Sequence, residues 1–148
     1  MHSLEFDELA HSRYVLLRSY RRDGTAVDTP VWFAVDGRTL LFRTKVGPKT
    51  RRLKTCHDVQ LVPCDYRGRA HPSAPKLAGR ATILVGAEAE RANDILRKRY
   101  GWQWNIVPLI SVPGVTNVHQ DLCIGEKLRR ARYRGVWPDS VIVRVDLP

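Results

Sequence analysis

The sequence predicts a mainly β protein, an antiparallel barrel or curled sheet with flanking helices. Two Asp-Gly turns, Asp23-Gly24 and Asp36-Gly37, punctuate segments of strand character near the start. One clear helical pattern comes late, and the crossover helices that a parallel α/β sheet needs are missing between the early strands. A chain of 148 residues has room for one sizeable core, so residues 1–148 are read as a single domain.

Along the chain, "LEFDELAH" at residues 4–11 has helical spacing after Ser3 as a cap. The segment from Arg13 to Val35 reads as two strands about Asp23-Gly24. Asp36-Gly37 then joins residues 31–35 to 39–44, completing a three-strand meander. Gly47-Pro48 breaks the third strand, and Pro48 suits the first turn of a short helix through "PKTRRLKT". "DVQLVPCDYRG" is a strand and turn, and "KLAGRATILV" is the next strand, with a bend expected at Gly79. "GAEAERANDILRKRYG" is a helix with Ala92, Ile95, Leu96 and Tyr100 on one face, early acids, late cations and a terminating Gly101. Residues 102–138 form an extension in which only the basic segment 127–134 has helical character, and "SVIVRVDLP" closes the chain as a strand.

Apolar residues at 43% and charged residues at 27% describe an ordinary globular protein, with no apolar run long enough for a membrane helix and no signal-peptide core. A cytoplasmic protein is expected. Cys56, Cys64 and Cys123 are odd in number and scattered, which does not suit a secreted disulfide framework. Their spacing with His57 and His119 is not that of a zinc site, so no metal is assigned. No dinucleotide fingerprint, P-loop or nucleophile elbow is present. The net charge of +10 directs attention to anionic ligands.

That charge is concentrated in "FRTKVGPKTRRLK", residues 42–54, which holds six lysines or arginines within a stretch, 37–57, lacking any carboxylate. Phosphates bind where helix-start N–H groups, the helix dipole and cations converge, and Lys49 and Arg52 stand one turn apart on the predicted short helix. Thr44 adds a hydroxyl at the end of the preceding strand. A solvated basic helix is the competing reading. In "DTPVWF", Pro30 donates no ladder hydrogen bond and must sit at a bulge, strand start or edge. Trp32 and Phe33 could equally fill the two faces of the sheet. A second basic run, "KLRRARYR", leaves open a nucleic-acid-binding barrel, although a solvated or dimer-facing helix explains it better.

In order, "TPVWF", the strand-end "RT" followed by "K..RL", and "PCD.RG" resemble the coenzyme F420-dependent oxidoreductases of the pyridoxamine 5'-phosphate oxidase-like superfamily, of the actinobacterial type, over roughly residues 10 to 101. The resemblance implies a split β-barrel of the FMN-binding-protein kind, homodimeric, with the cofactor in a groove at the subunit interface. Thr29, Pro30, Val31 and Trp32 would then line the deazaflavin ring, Thr44 the ring or ribityl chain, and Lys49 with Arg52 the phosphate. Arg43, Lys45 and Arg51 would meet the oligoglutamate tail, and Cys64, Arg67 and Gly68 would form a loop near the cofactor. Gly47-Pro48 stands where relatives often carry serine or threonine. The implied activity is hydride transfer between F420 and an unsaturated small-molecule substrate, with no catalytic acid or base assigned and the proton coming from bulk water or Arg67. A longer basic strip than one phosphate needs favours F420 over FMN. An FMN enzyme and a non-catalytic deazaflavin carrier are the alternatives on the same fold.

Overall fold

The computed structural model describes residues 12–65, 67–101, 104, 123–132, 136, 137 and 139–147. Six strands form an antiparallel barrel: β1 (Tyr14–Tyr20), β2 (Ala26–Asp36), β3 (Thr39–Lys45), β4 (Asp58–Cys64), β5 (Leu77–Leu84) and β6 (Ser140–Asp146). Their order around the barrel is β1-β2-β3-β6-β5-β4, and β4 returns to β1. Three helices accompany them: α1 (Pro48–Thr55), α2 (Gly86–Tyr100) and α3 (Ile124–Arg132). The helix expected at residues 4–11 lies outside the described residues, as does most of the extension 102–138.

Alternation in the strands separates two cores. Val15, Leu17, Phe33, Leu40, Phe42 and Val143 fill the barrel interior, each fully buried. On the outside of the sheet, Ala34, Leu41 and Ile142 meet the apolar face of α2, made by Ala89, Ala92, Leu96 and Tyr100. Burying a large apolar side chain contributes about 1.5–3 kcal/mol, so losing either layer would unfold a domain of this size. Gly101, with φ 62, terminates α2 where the sequence put its end, and its N–H donates to the Arg97 carbonyl.

The two hairpins form at the expected places, with a local difference in each. The first loop runs from Arg21 to Thr25, where Gly24 takes φ 89 and the Asp23 carboxylate accepts the Thr25 N–H. The second is the two-residue turn Gly37-Arg38, with positive φ only at Gly37, as a type II′ turn requires. α3 starts three residues before the expected basic helix, at Ile124.

Gly79 lies within β5. It stays in the ladder opposite Val59, and its reason is space: a Cβ there would lie 2.4 Å from Val145 Cγ1 and 3.2 Å from the Asp146 carbonyl. The side chain of Val145 is fully buried and stiff at χ1, so it has nowhere to yield. Gly79→Ala should lower unfolding free energy by about 1–3 kcal/mol, the usual range for overpacking. Urea denaturation checks this, and an unchanged midpoint would mean that β5 and β6 do not approach as closely as described.

Candidate functional site

β2 changes partners halfway along its length. Residues 26–32 pair with β1, whereas only residues 33–36 pair with β3, so the β2–β3 ladder opens immediately beyond Phe33 and Phe42. Thr29, Pro30, Val31 and Trp32 form one lip of this split, and Arg43, Thr44 and Lys45 form the other. Phe33 turns both its N–H and its C=O to the Tyr100 hydroxyl. By alternation the Pro30 nitrogen faces the unpaired edge, where the missing donor costs no ladder bond.

The Tyr100 hydroxyl caps the opposite, β1-facing edge of β2 at Phe33. It accepts the Phe33 N–H at 2.9 Å and lies 2.6 Å from the Phe33 carbonyl and 2.9 Å from that of Arg13, taking the place of a β1 residue beyond Tyr14. Burial pushes its pKa up. Trp32 stacks on the Tyr100 ring at 4.5 Å and 9°, with Trp104 at 6.2 Å completing the aromatic layer outside the barrel. Trp32 and Phe33 thus divide between the two faces of the sheet.

Beyond the second lip the chain passes through Val46 and Gly47 into α1. The Thr50 hydroxyl donates to the Gly47 carbonyl at 2.8 Å and accepts the Gly47 N–H at 3.0 Å, closing the first turn that Pro48 begins. Thr50 and Leu53 are buried, which sets α1 across the barrel mouth with Lys49 and Arg52 on the β1 flank. Arg52 Nε donates to Ser19 Oγ at 3.0 Å. Ser19, 1% exposed, follows Val15 and Leu17 in the inward row of β1. Burial, with repulsion from Arg52, holds the half-buried Lys49 ammonium down to about 8. Burial and then Arg21 lower Arg52 as well. Among the described residues, no carboxylate pairs with Lys49, Arg52, Lys45 or Arg51; Lys45 and Arg51 are exposed.

The loop after β4 reaches the first lip. Asp65 organises it, accepting the Arg67 and Arg69 N–H groups at 2.9 Å each, which with the Arg69 guanidinium holds its carboxyl below the ordinary value. Gly68, with φ 80, brings its backbone against β1 and β2: a Cβ would stand 3.4 Å from Leu16 and 3.6 Å from Pro30. "TPVWF" and "PCD.RG" are therefore neighbours in space. Cys64, paired with Tyr14, has its thiol pushed up to about 12 by burial and then Asp65, so it holds its proton.

Arg43 is set apart from this cation group. On the outer face of β3, its guanidinium lies 3.8 Å from the ring centre of Trp104 and 4.4 Å from that of Trp137, and Nη2 donates to the Trp104 carbonyl at 2.6 Å. Burial first, then Arg130, push it down to about 9, against the opposing effect of Asp139. Neither Trp104 nor Ser19 and Arg21 was selected from sequence. For Ser19 a signal existed, a polar residue in the inward register of an otherwise apolar row.

Solved structures with the same architecture exist. A candidate pyridoxamine 5'-phosphate oxidase from Listeria innocua aligns over 97% of this chain and 93% of its own, at 18% identity and TM-score 0.54. The haem storage protein HutZ of Vibrio cholerae aligns over 98% and 89%, at 10% identity and TM-score 0.61. An F420 reductase aligns over 96% and 92%, at 22% identity and TM-score 0.52. No protein-family model matches the chain, and no curated protein matches it. At these identities the likeness carries the fold: a split β-barrel of the FMN-binding kind.

Because Lys49 ionises less readily in the folded chain than at the ordinary 10.5, the unfolded chain binds the extra proton between about 8 and 10.5. Stability contributed by this group therefore rises with pH through that window. Thermal denaturation across it should show a larger rise for the native chain than for Lys49→Met. Equal pH dependence would mean that Lys49 is not desolvated.

Proposed function

We propose that this protein is an F420-dependent oxidoreductase, acting as a homodimer on an unsaturated small-molecule substrate. The observation that carries the reading is the pair Lys49 and Arg52, drawn together on a helix that follows an open sheet edge, with no carboxylate among the described residues to balance them. Two partly desolvated cations without a counter-charge are an incomplete arrangement, and a phosphate completes it. The residues present therefore fit the phosphate of such a cofactor, with Arg21 near enough to add to the field.

When bound, the deazaflavin supplies the hydride; the chain supplies position and exclusion of water. Lys49 and Arg52 would hold the phosphate, and Thr44 would face the ribityl region from the second lip. Thr29 to Trp32 would offer the ring an edge stiffened by Pro30 and by the Trp32–Tyr100 stack. Gly68 packs the loop of Cys64 and Arg67 beside that edge. Lys45 and Arg51, exposed and outside any ion pair among the described residues, suit a carboxylate-bearing tail, which favours F420 over FMN. The accompanying proton is assigned to bulk water, since the Cys64 thiol is held far from neutral ionisation. Arg43 contributes by fixing β3 against the outer aromatic layer.

Titrating the purified protein with F420 and with FMN, followed by tryptophan quenching, should give saturable binding tighter for F420. Charge-assisted hydrogen bonds contribute about 1.5–3 kcal/mol each, so replacing Lys49 and Arg52 together by alanine should weaken binding by about 100-fold or more. Affinity should also fall as pH rises above about 8, where the unliganded Lys49 loses its proton and binding must take one up. Saturable binding of neither cofactor would overturn the reading, and tighter FMN binding would transfer it to the flavin.

A further inference from the structure

Arg52 reaches from α1 to β1, and one side chain holds it there. Its Nε donates to Ser19 Oγ at 3.0 Å. Among the described residues no carboxylate pairs with its guanidinium. Like charges stand close instead: Arg52 lowers the ionisation of Lys49 on its own helix, and Arg21, in the loop that follows β1, lowers that of Arg52. A long, flexible side chain in such company is driven outward into solvent, where its charge is better hydrated. The bond to Ser19 opposes that.

The strand does not require a serine at this place. β1 sends Val15, Leu17 and Ser19 inward, and the first two are fully buried in the barrel core. At 1% exposure a hydroxyl in this row is unfavourable unless it is bonded, and an alanine would avoid that cost. Among the described residues the bond to Arg52 is the one that this hydroxyl makes. Ser19 is thus accounted for by Arg52, and Arg52 by Ser19.

The bond also decides which edge of the guanidinium is offered to a ligand. The group is planar and rigid, with five N–H donors. With Nε engaged by Ser19, the edge formed by Nη1 and Nη2 remains, and two parallel N–H groups are the fork that takes two oxygens of a phosphate.

We propose that Ser19 is a positioning residue for the anion anchor, fixing Arg52 through Nε so that its Nη1–Nη2 fork stands ready beside Lys49 for the cofactor phosphate. The inference rests on the reading of Lys49 and Arg52 as the phosphate anchor, and Ser19 acts through Arg52. A fork already ordered in the free protein loses less freedom on binding, so the order appears as affinity.

Two measurements on the full chain test it. In the ligand-free, isotope-labelled protein the Arg52 Nε–H resonance, assigned by its loss in Arg52→Ala, should exchange with solvent more slowly than that of exposed Arg51, and Ser19→Ala should remove the protection. Titrations with F420 and with FMN are then run on the native chain, Ser19→Ala, Arg52→Ala and the double variant. Ser19→Ala should weaken binding by about tenfold in the native background and by nothing further once Arg52 is gone. An unprotected Nε–H in the native chain, unchanged affinity in Ser19→Ala, or an equal loss in both backgrounds would each overturn the positioning role and leave the anchor standing. Saturable binding of neither cofactor by the native chain would overturn the anchor and this role together.

Discussion

The split in this barrel depends on one backbone event, the change of partner by β2 at Phe33. Up to Trp32 the strand is bonded to β1, and from Phe33 onward it is bonded to β3. A strand that serves two neighbours over different halves must leave an unpaired edge in each half. One edge is left open at Thr29 to Trp32, and Pro30 lies on it. The other is closed by a side chain, the Tyr100 hydroxyl, which meets the Phe33 N–H and C=O together. Leaving a buried backbone donor without a partner costs about 1–3 kcal/mol, so α2 is tied to the sheet by more than apolar contact. The two edges are therefore unlike: the β1-facing edge is capped at Phe33, and the β3-facing edge is left open at residues 29–32.

The cations are treated in two opposite ways by the same fold. Arg130 is matched by Glu126 and by two oxygens of Asp139, while Arg43 is held between two indoles with its ionisation lowered by burial and then by Arg130. Such contacts fix the aromatic layer and leave little for a ligand. At the mouth of the barrel, burial and then Arg52 lower the ionisation of Lys49, burial and then Arg21 lower that of Arg52, and the Ser19 hydroxyl accepts a hydrogen bond from Arg52. Desolvated like charges are unfavourable in the free protein. An anion held there, as proposed, would relieve that repulsion.

The sequence made the elements legible because glycines and prolines mark their ends. Gly37 and Gly101 sit where positive φ is required, Pro48 sits at the first turn of α1, and the apolar spacing of α2 survives as its buried face. The basic strip was legible as a group, and its division was not. Arg43 and Arg52 look alike in the sequence, but β3 turns one outward beneath Trp104 and Trp137, while α1 turns the other toward Ser19. Trp104 and Trp137 are far from Arg43 along the chain, and no local pattern announces that contact. At Gly79 the need for space was not legible either, because it arises from Val145, which reaches it only through the pairing of β5 with β6. Non-local packing decided each of these positions.

The fold neighbours carry names as different as pyridoxamine 5'-phosphate oxidase, F420 reductase and haem storage protein, which fits a division of labour between scaffold and site. A staggered β2 supplies an open edge whatever lies beside it. The ligand is then chosen by the side chains placed along the two lips and at the start of α1. In this chain those are a proline-stiffened edge, a loop brought flush by Gly68, and a run of cations without acids. A ligand that leaves most of its length at an open edge must gain its affinity from its anionic groups, since apolar enclosure there is small. On the proposed reading, Lys49, Arg52, Lys45 and Arg51 would then matter more than the ring contacts, and the choice between a cofactor with one phosphate and one with a phosphate and a string of carboxylates would be made on α1 and the end of β3.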